Sequence, residues 1–383
     1  MNLHRRQFLK ASALAGSALG LGGAGALLSA EAEKEDPSRS IPPSRSLDLL
    51  ILGGTSFLGP HQVRYALERG HNVSIFTRGR TEPQLFRDAF RQVEHLVGDR
   101  ADNLEALRGR SWDAVIDNSG ARVAWTRDSA QLLKDRCGAY LYVSSTGVYY
   151  PYLTTDISED GPVPLVDESD GENESAAYGV MKANAEMEAQ RAFGDERTLV
   201  VRPGYIAGPG DRSDRFTYWP IRIHRGGEIL VPGKKDDPVQ FIDVRDLTEW
   251  MIRSLEEERY GVFNATGPAH SLTMAEFVHG VRAVTTSDVK WSWISDYDFL
   301  KSQGLLYAIP WIMPVDDELG SLRIDVSKAV ANGLTYRTLA RTAEDTLEWW
   351  YSEDVSDDRR AGPRFVLTPE REEEILRGWK ERR

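Results

Sequence analysis

Apolar and polar residues alternate along this chain in blocks that predict strand, turn and helix in repeated order. Leu47-Asp48-Leu49-Leu50-Ile51-Leu52 is a nearly continuous apolar run, as expected of a strand buried on both faces. It ends in Gly53-Gly54-Thr55-Ser56-Phe57-Leu58-Gly59, and Gln62 to Glu68 continues a helix that stops near Gly70. Further strands are predicted at residues 72–76, 93–97, 113–117 and 139–144. Helices are predicted from Asn103, over Val123 to Leu133, and from Tyr178 to about Ala192. This alternation implies an α/β fold, a doubly wound parallel sheet with right-handed crossovers. No internal repeat interrupts it.

After Gly204 the pattern loosens. Strands are expected at 239–243 and 261–265, and helices over 246–255, from Thr273 to Val284, and from Thr368 to Arg383. The organisation expected is a sheet domain over 47–203, a smaller lobe with returning elements over 204–352, and a helical tail over 353–383.

The first glycine segment has the chemistry of a phosphate cradle. Glycine lets the backbone approach a ligand closely, and a helix N-terminus offers unpaired N–H groups and partial positive charge. A nucleotide pyrophosphate suits this stretch, so Gly53 through Gly59 are candidate cofactor contacts; a bare strand-to-helix turn is the plainer alternative. Arg78 and Arg80 follow the second strand, where the ribose of a dinucleotide sits. Arginines there suit a 2′-phosphate and favour NADP(H) over NAD(H), unless they are ordinary solvated charges. Asp99, after the third strand, is either an adenine contact or a helix N-cap. Asn118 and Ser119 form a turn beside the same crevice.

The candidate chemistry lies at the fifth strand's end, in Ser144-Ser145-Thr146-Gly147-Val148-Tyr149 and Tyr178-Gly179-Val180-Met181-Lys182. The four-residue spacing puts the Tyr178 phenol and the Lys182 ammonium on one helix face. A cation beside a phenol favours the phenolate, so Tyr178 can act as general acid or base, with Ser145 holding the same substrate oxygen. Arg212, Arg222 and Lys234 are candidates for an anionic substrate, with solvated surface charge the alternative. Trp291, Trp293, Trp311, Trp349 and Trp350 are candidates for sugar stacking, with core packing favoured for the adjacent pair.

Composition narrows the function. The net charge of −12 argues against a nucleic-acid binder. A single cysteine, Cys137, excludes an intramolecular disulfide, and seven scattered histidines give no metal-site spacing. The first 32 residues read as a targeting segment. Arg5-Arg6-Gln7-Phe8-Leu9-Lys10, an Ala/Gly-rich run and Ala30-Glu31-Ala32 resemble a twin-arginine export signal. The run is poor in Leu, Ile and Val for a stable membrane anchor. Export would deliver a folded protein through the twin-arginine translocase to the periplasm or beyond. Residues 33–46 read as a linker.

Taken together, Gly53–Gly59, Ser144–Tyr149, Tyr178–Lys182, Arg202-Pro203-Gly204 with Gly208-Pro209-Gly210, and Phe241–Asp246 resemble the short-chain dehydrogenase/reductase superfamily. The nearest branch is the extended and atypical NAD(P)-dependent epimerase/dehydratase group, with a Rossmann-type sheet and a C-terminal substrate lobe. The resemblance implies Tyr178 as proton donor and acceptor, Lys182 on the nicotinamide ribose, Ser145 on the substrate oxygen, and Pro203 and Gly204 against the nicotinamide. It implies a small-molecule substrate, such as a secondary alcohol of a sugar or sugar nucleotide, and leaves a homodimer open. Ser56 replaces the usual middle glycine, as in the atypical branch. That branch includes chloroplast stem-loop RNA-binding proteins, so the alternative is a non-catalytic NADP- or RNA-binding protein.

Overall fold

A computed structural model describes Pro43 and residues 45–118, 120–169 and 171–382. The expected export signal and nearly all of the linker lie outside the described residues.

Among the described residues of the first half, six strands and three longer helices build the sheet and its flanking layers. They are β1 (Asp48–Leu52), α1 (Leu58–Glu68), β2 (Asn72–Thr77), β3 (Glu94–Val97), β4 (Trp112–Asp117), α2 (Val123–Leu133), β5 (Cys137–Val143), α3 (Glu174–Phe193) and β6 (Thr198–Pro203). The chain later returns α4 (Val244–Glu256) and β7 (Gly261–Ala265) to the same sheet. The seven strands run parallel in the order β3-β2-β1-β4-β5-β6-β7. The order reverses at β1, so the crevice beyond the carboxyl ends of β1 and β4 is the topological switch point where such sheets bind ligands.

The apolar run of β1 works because its alternate residues serve two cores. Leu49 and Ile51 join Ile75, Ile116, Leu141 and Val201 beneath α1 and the Leu247, Trp250 and Met251 face of α4. Leu50 and Leu52 join Phe76, Val115, Tyr140 and Tyr142 beneath Ala130 and Leu133 of α2 and Ala185, Ala189 and Phe193 of α3. Each such side chain taken from water contributes roughly 1.5–3 kcal/mol.

The lobe has its own core, around Trp219, Phe216, Phe241 and Phe277. Phe216 and Phe241 pack with ring centroids 5.0 Å apart, and Trp219 meets Phe277 edge-on at 5.6 Å. Two parallel strands, Gly227–Pro232 and Val289–Ile294, flank it. Thr273 caps the helix Met274–Arg282 in a capping box with Glu276, and Thr368 caps the last helix, Pro369–Glu381. Ile375 and Leu376 of that helix enter the lobe core, and Arg359 of the tail pairs with the buried Asp214.

Two predicted elements differ. No α-helix follows Asn103. Asp99 and Asn103 exchange backbone hydrogen bonds at 2.9 Å, and only a single 3₁₀ turn, Glu105–Leu107, follows. Asp99 is therefore not a helix N-cap; its Oδ1 accepts from the Ala101 N–H at 3.0 Å. The expected strand 239–243 is split into Pro238–Val239 and Ile242–Asp243, which pair with different partners. Gln240 lies between them, and its side-chain amide binds both the carbonyl and the N–H of Ile324.

Candidate active site

The glycine loop fits the backbone of a dinucleotide. Gly53 leaves β1 at φ +83°, and its N–H binds the Phe76 carbonyl at 3.0 Å. Gly54 packs on Ile75. A Cβ on Gly59 would stand 2.1 Å from the Gly54 carbonyl oxygen, so only glycine brings the first turn of α1 this close to the loop. No side chain caps α1 and no acidic residue lies in its first turn, which leaves its N–H groups to an anion. Ser56, in the position of the usual middle glycine, faces the crevice with Phe57 and Leu58.

Two cavities meet at this loop. Ser56, Phe57, Leu58, Asn118 and Arg212 line both. The first, about 400 Å³, also takes Gly53, Thr55, Arg78, Arg80, Asp99 and Arg100. Neither Arg78 nor Arg80 has an ion-pair partner among the described residues. Arg100 is different: its guanidinium is buried in a two-pronged pair with Asp117, at 2.7 and 2.9 Å, which also accepts the Tyr140 hydroxyl at 2.7 Å. Asn118 exchanges amide hydrogen bonds with Gln62, at 2.6 and 3.0 Å, which fixes its orientation on the cavity wall. Ser119 lies outside the described residues.

The second cavity, about 670 Å³, opens over the carboxyl ends of β5 and β6 and brings together Ser145, Tyr178, Lys182, Pro203 and Gly204. Ser145 caps the turn Thr146–Tyr149, its Oγ accepting the Gly147 N–H at 3.0 Å. A Cβ on Gly147 would stand 3.1 Å from the Tyr178 ring, so glycine lets the ring lie against this turn. Tyr178 is half exposed, at 47%. Its enclosed surroundings push the phenol above its ordinary value, while a hydrogen bond with Ser145 and the charge of Arg215 pull it down. Lys182 takes no part in that downward pull, contrary to the expectation from spacing. Its Nζ donates to the Val143 carbonyl at 2.6 Å and lies 4.5 Å from the Tyr142 ring centre. Burial lowers this ammonium to about 8, against the pull of Asp117 and Glu186. The spacing rule places residues on one face; it does not say which acceptor a buried ammonium takes. An ammonium has three donors, so Val143 leaves two for a ligand.

A buried network braces this end from behind. Glu186, one turn beyond Lys182, accepts the Ser144 hydroxyl and pairs with Arg202 at 2.7 Å. Arg202 donates to the Tyr149 hydroxyl at 2.7 Å, and Tyr149 donates to Asn264 on β7 at 2.8 Å.

The far wall was not legible as a site. Tyr150, Tyr152, Tyr205, Arg215, Tyr307 and Glu318 arrive from loops widely separated in sequence, with no spacing to link them. Tyr307 donates to Glu318 at 3.2 Å, and burial holds that carboxyl above its ordinary value. Of the three cations weighed for an anionic substrate, only Arg212 reaches the cavities. Arg222 is bound to Glu372 at 2.6 Å, and Lys234 lies 4.9 Å from the Tyr297 ring centre. None of Trp291, Trp293, Trp311, Trp349 and Trp350 lines either cavity. Trp311 is fully buried and donates to Asp237 at 2.8 Å, and the adjacent pair packs in a small core with Ile221.

The sequence matches the NAD dependent epimerase/dehydratase family over residues 49–266, more than half of the chain, and the protein belongs to that family. The chain is 27% identical over 241 residues to the chloroplast stem-loop binding protein of 41 kDa b of Arabidopsis thaliana, covering 59% of this chain and 60% of that protein. It is 28% identical over 247 residues to the epimerase family protein SDR39U1 of Bos taurus, covering 61% and 79%. The fold is shared with the UDP-glucuronic acid 4-epimerase of Bacillus cereus, solved with UDP-glucuronic acid and NAD, at a TM-score of 0.56 and 17% identity over 79% of this chain and 98% of that one.

Proposed function

We propose that this protein is an NADP(H)-dependent epimerase or oxidoreductase that acts on a secondary alcohol or ketone, in the class of sugars and sugar nucleotides. One observation carries the reading: Ser145, Tyr178 and Lys182 share a cavity with Pro203 and Gly204, and that cavity runs past the glycine loop into a second one. A dinucleotide laid through both would have its adenosine near Arg78 and Arg80 and its nicotinamide near Gly204. A bound nicotinamide supplies the hydride acceptor and donor. Tyr178, its phenolate favoured by Ser145, Arg215 and the positive charge that a bound oxidised nicotinamide would add, takes the proton from the substrate hydroxyl and gives it back when the carbonyl is reduced again. Ser145 holds the oxygen through both steps, and Lys182 offers its remaining donors to a ribose. Arg78 and Arg80, cations without ion-pair partners among the described residues, support NADP(H) over NAD(H).

The twin-arginine-like N-terminus supports export, and export favours epimerisation over net reduction. Free reductant is scarce outside the cytoplasm, while an epimerase recovers its hydride in each turnover. Purified exported protein is expected to carry a nucleotide, released on denaturation and identified by mass spectrometry. Protein that carries none and binds none tightly would rule this reading out. Replacing Arg5 and Arg6 with lysine should block export; export that persists would overturn the targeting assignment.

The chloroplast relative's name motivates a second reading, an RNA-binding protein without catalysis. The net charge of −12 opposes it. A stem-loop RNA retarded at physiological salt, with no turnover of any nucleotide sugar, would favour it.

A further inference from the structure

We propose that Arg212 is a clamp on the pyrophosphate of the dinucleotide, reaching across from the lobe to the glycine loop. The assignment rests on the reading that the two cavities hold a dinucleotide.

Position is the first argument. Arg212 is one of five residues that line both cavities, and the other four belong to the glycine loop, its helix start and the end of β4. It also lines a small third cavity with Thr55, Ser56, Phe57 and Gly210. A pyrophosphate joins the two halves of a dinucleotide, so it must cross the place where the cavities join. The Arg212 Nη1 stands 3.4 Å from the Ser56 hydroxyl, at the position where the usual middle glycine is replaced.

Charge is the second. The buried Arg100 and Arg202 and the half-buried Arg245 and Arg337 are spent on carboxylates: Asp117, Glu186, Asp243 and Asp246. Arg212 has no carboxylate partner among the described residues, although Asp211 precedes it and Asp214 follows. Neither pairs with it, though the second oxygen of buried Asp211 has no hydrogen-bond partner among the described residues. Asp211 accepts from the Ser213 N–H and hydroxyl at 2.8 and 2.7 Å, and Asp214 pairs with Arg359. A planar guanidinium with five donors suits two adjacent phosphates.

The backbone behind it is held on both sides. The Pro209 carbonyl takes a hydrogen bond from buried His61 on α1 at 2.9 Å. The Arg212 carbonyl takes one from Arg364 of the tail at 3.3 Å. The guanidinium is thus presented by a braced loop, which limits the ordering needed when an anion binds.

The test is titration with NADPH and NADH, followed by nucleotide fluorescence, on wild type, R212A and R212K, with UDP as a further probe. The side chain is exposed, and thermal melts should confirm that both variants fold. R212A is expected to weaken NADPH and NADH by a similar factor, about tenfold or more, with R212K between it and wild type and UDP unchanged. The equal factor distinguishes a pyrophosphate contact from a 2′-phosphate contact, which would affect NADPH alone. Affinities for both dinucleotides within twofold of wild type overturn the assignment. So does a loss confined to UDP, which would place Arg212 on a substrate diphosphate. If wild type binds neither nucleotide, the functional reading fails first and the clamp falls with it.

Discussion

The two cavities of the cleft share one sheet edge yet present different chemistry. The first is edged by Arg78 and Arg80, cations without ion-pair partners among the described residues. The second is walled by tyrosines, and its buried cation, Lys182, is already bound to a carbonyl. Unpaired charge costs little at an exposed rim and a great deal in the interior. The first cavity can therefore hold free positive charge in readiness for phosphate. The second tunes its groups by burial, which raises Tyr178 and Glu318 and lowers Lys182. On the proposed reading, recognition at one end is electrostatic, and proton transfer at the other depends on desolvation, a few placed hydrogen bonds and the charge of Arg215.

The sharpest break of this contrast is to remove the phenol and leave the charges. Y178F keeps the ring against Gly147 and deletes only the hydroxyl. Turnover should fall by about 10²–10⁴, the usual worth of a placed acid or base. NADPH and NADH affinity should stay within twofold, because the ring that would lie beside a nicotinamide is kept and Tyr178 does not line the first cavity, where the phosphates would sit. Steady-state kinetics on the ligand that co-purifies, beside nucleotide titration, reads both. Near-normal turnover in Y178F would remove Tyr178 from the chemistry.

Next in size is the brace behind the second cavity. Arg202 and Glu186 are both buried, and R202M leaves the carboxylate without its partner. Stability to urea should drop by about 3–5 kcal/mol, whereas R202M/E186M should recover much of it. A double variant as unstable as the single one would show that the pair acts through its links to Ser144 and Tyr149 instead.

How far such arguments could be made before a structure depended on the kind of residue. The sheet was legible because β1, β4 and β5 carry apolar residues on both faces, and only a strand between two helical layers needs that. Gly53–Gly59 and Tyr178–Lys182 stood out as local units through their spacing, although spacing did not reveal that Lys182 binds the Val143 carbonyl. The helix expected at Asn103 was wrong because a backbone pairing between Asp99 and Asn103 leaves too short a span before β4. The tyrosine wall and Glu318 were invisible because they meet only through tertiary packing. Trp291, Trp293 and Trp311 misled in the other direction: their ring area serves the lobe core, while Trp349 and Trp350 pack in a core as expected and tyrosine edges line the cleft. Arg212, Arg222 and Lys234 looked equivalent as charges, and only the location of Glu372 and Tyr297 separates them.

At the first cavity, the predicted break is in selectivity. R78A should weaken NADPH by about 10- to 100-fold and leave NADH nearly unchanged, since a charge-assisted bond to phosphate contributes about 1.5–3 kcal/mol. Competition between the two nucleotides in a fluorescence titration measures it. Equal losses for both would move Arg78 from the 2′-phosphate to a shared part of the ligand.

The smallest effect concerns His61, which anchors the loop that carries Arg212. Its Nε2 meets the Pro209 carbonyl at 2.9 Å, and its buried Nδ1 has no hydrogen-bond partner among the described residues. The ring is therefore neutral with its proton on Nε2. Protonation would place a second proton where nothing accepts it, next to the repelling charges of Arg64 and Arg245. Burial accordingly lowers the imidazole from 6.5 to about 4, against the pull of Pro209 and Asp243. Between those values the unfolded chain binds a proton that the folded chain refuses, so stability falls as pH drops through that window. The loss should be about 1 kcal/mol over the first pH unit below 6.5. H61Q can still donate to Pro209 but cannot titrate, so the difference in urea stability between wild type and H61Q should shrink by that amount as the medium is acidified. A difference independent of pH would mean that His61 titrates alike in both states, with water or another group reaching Nδ1.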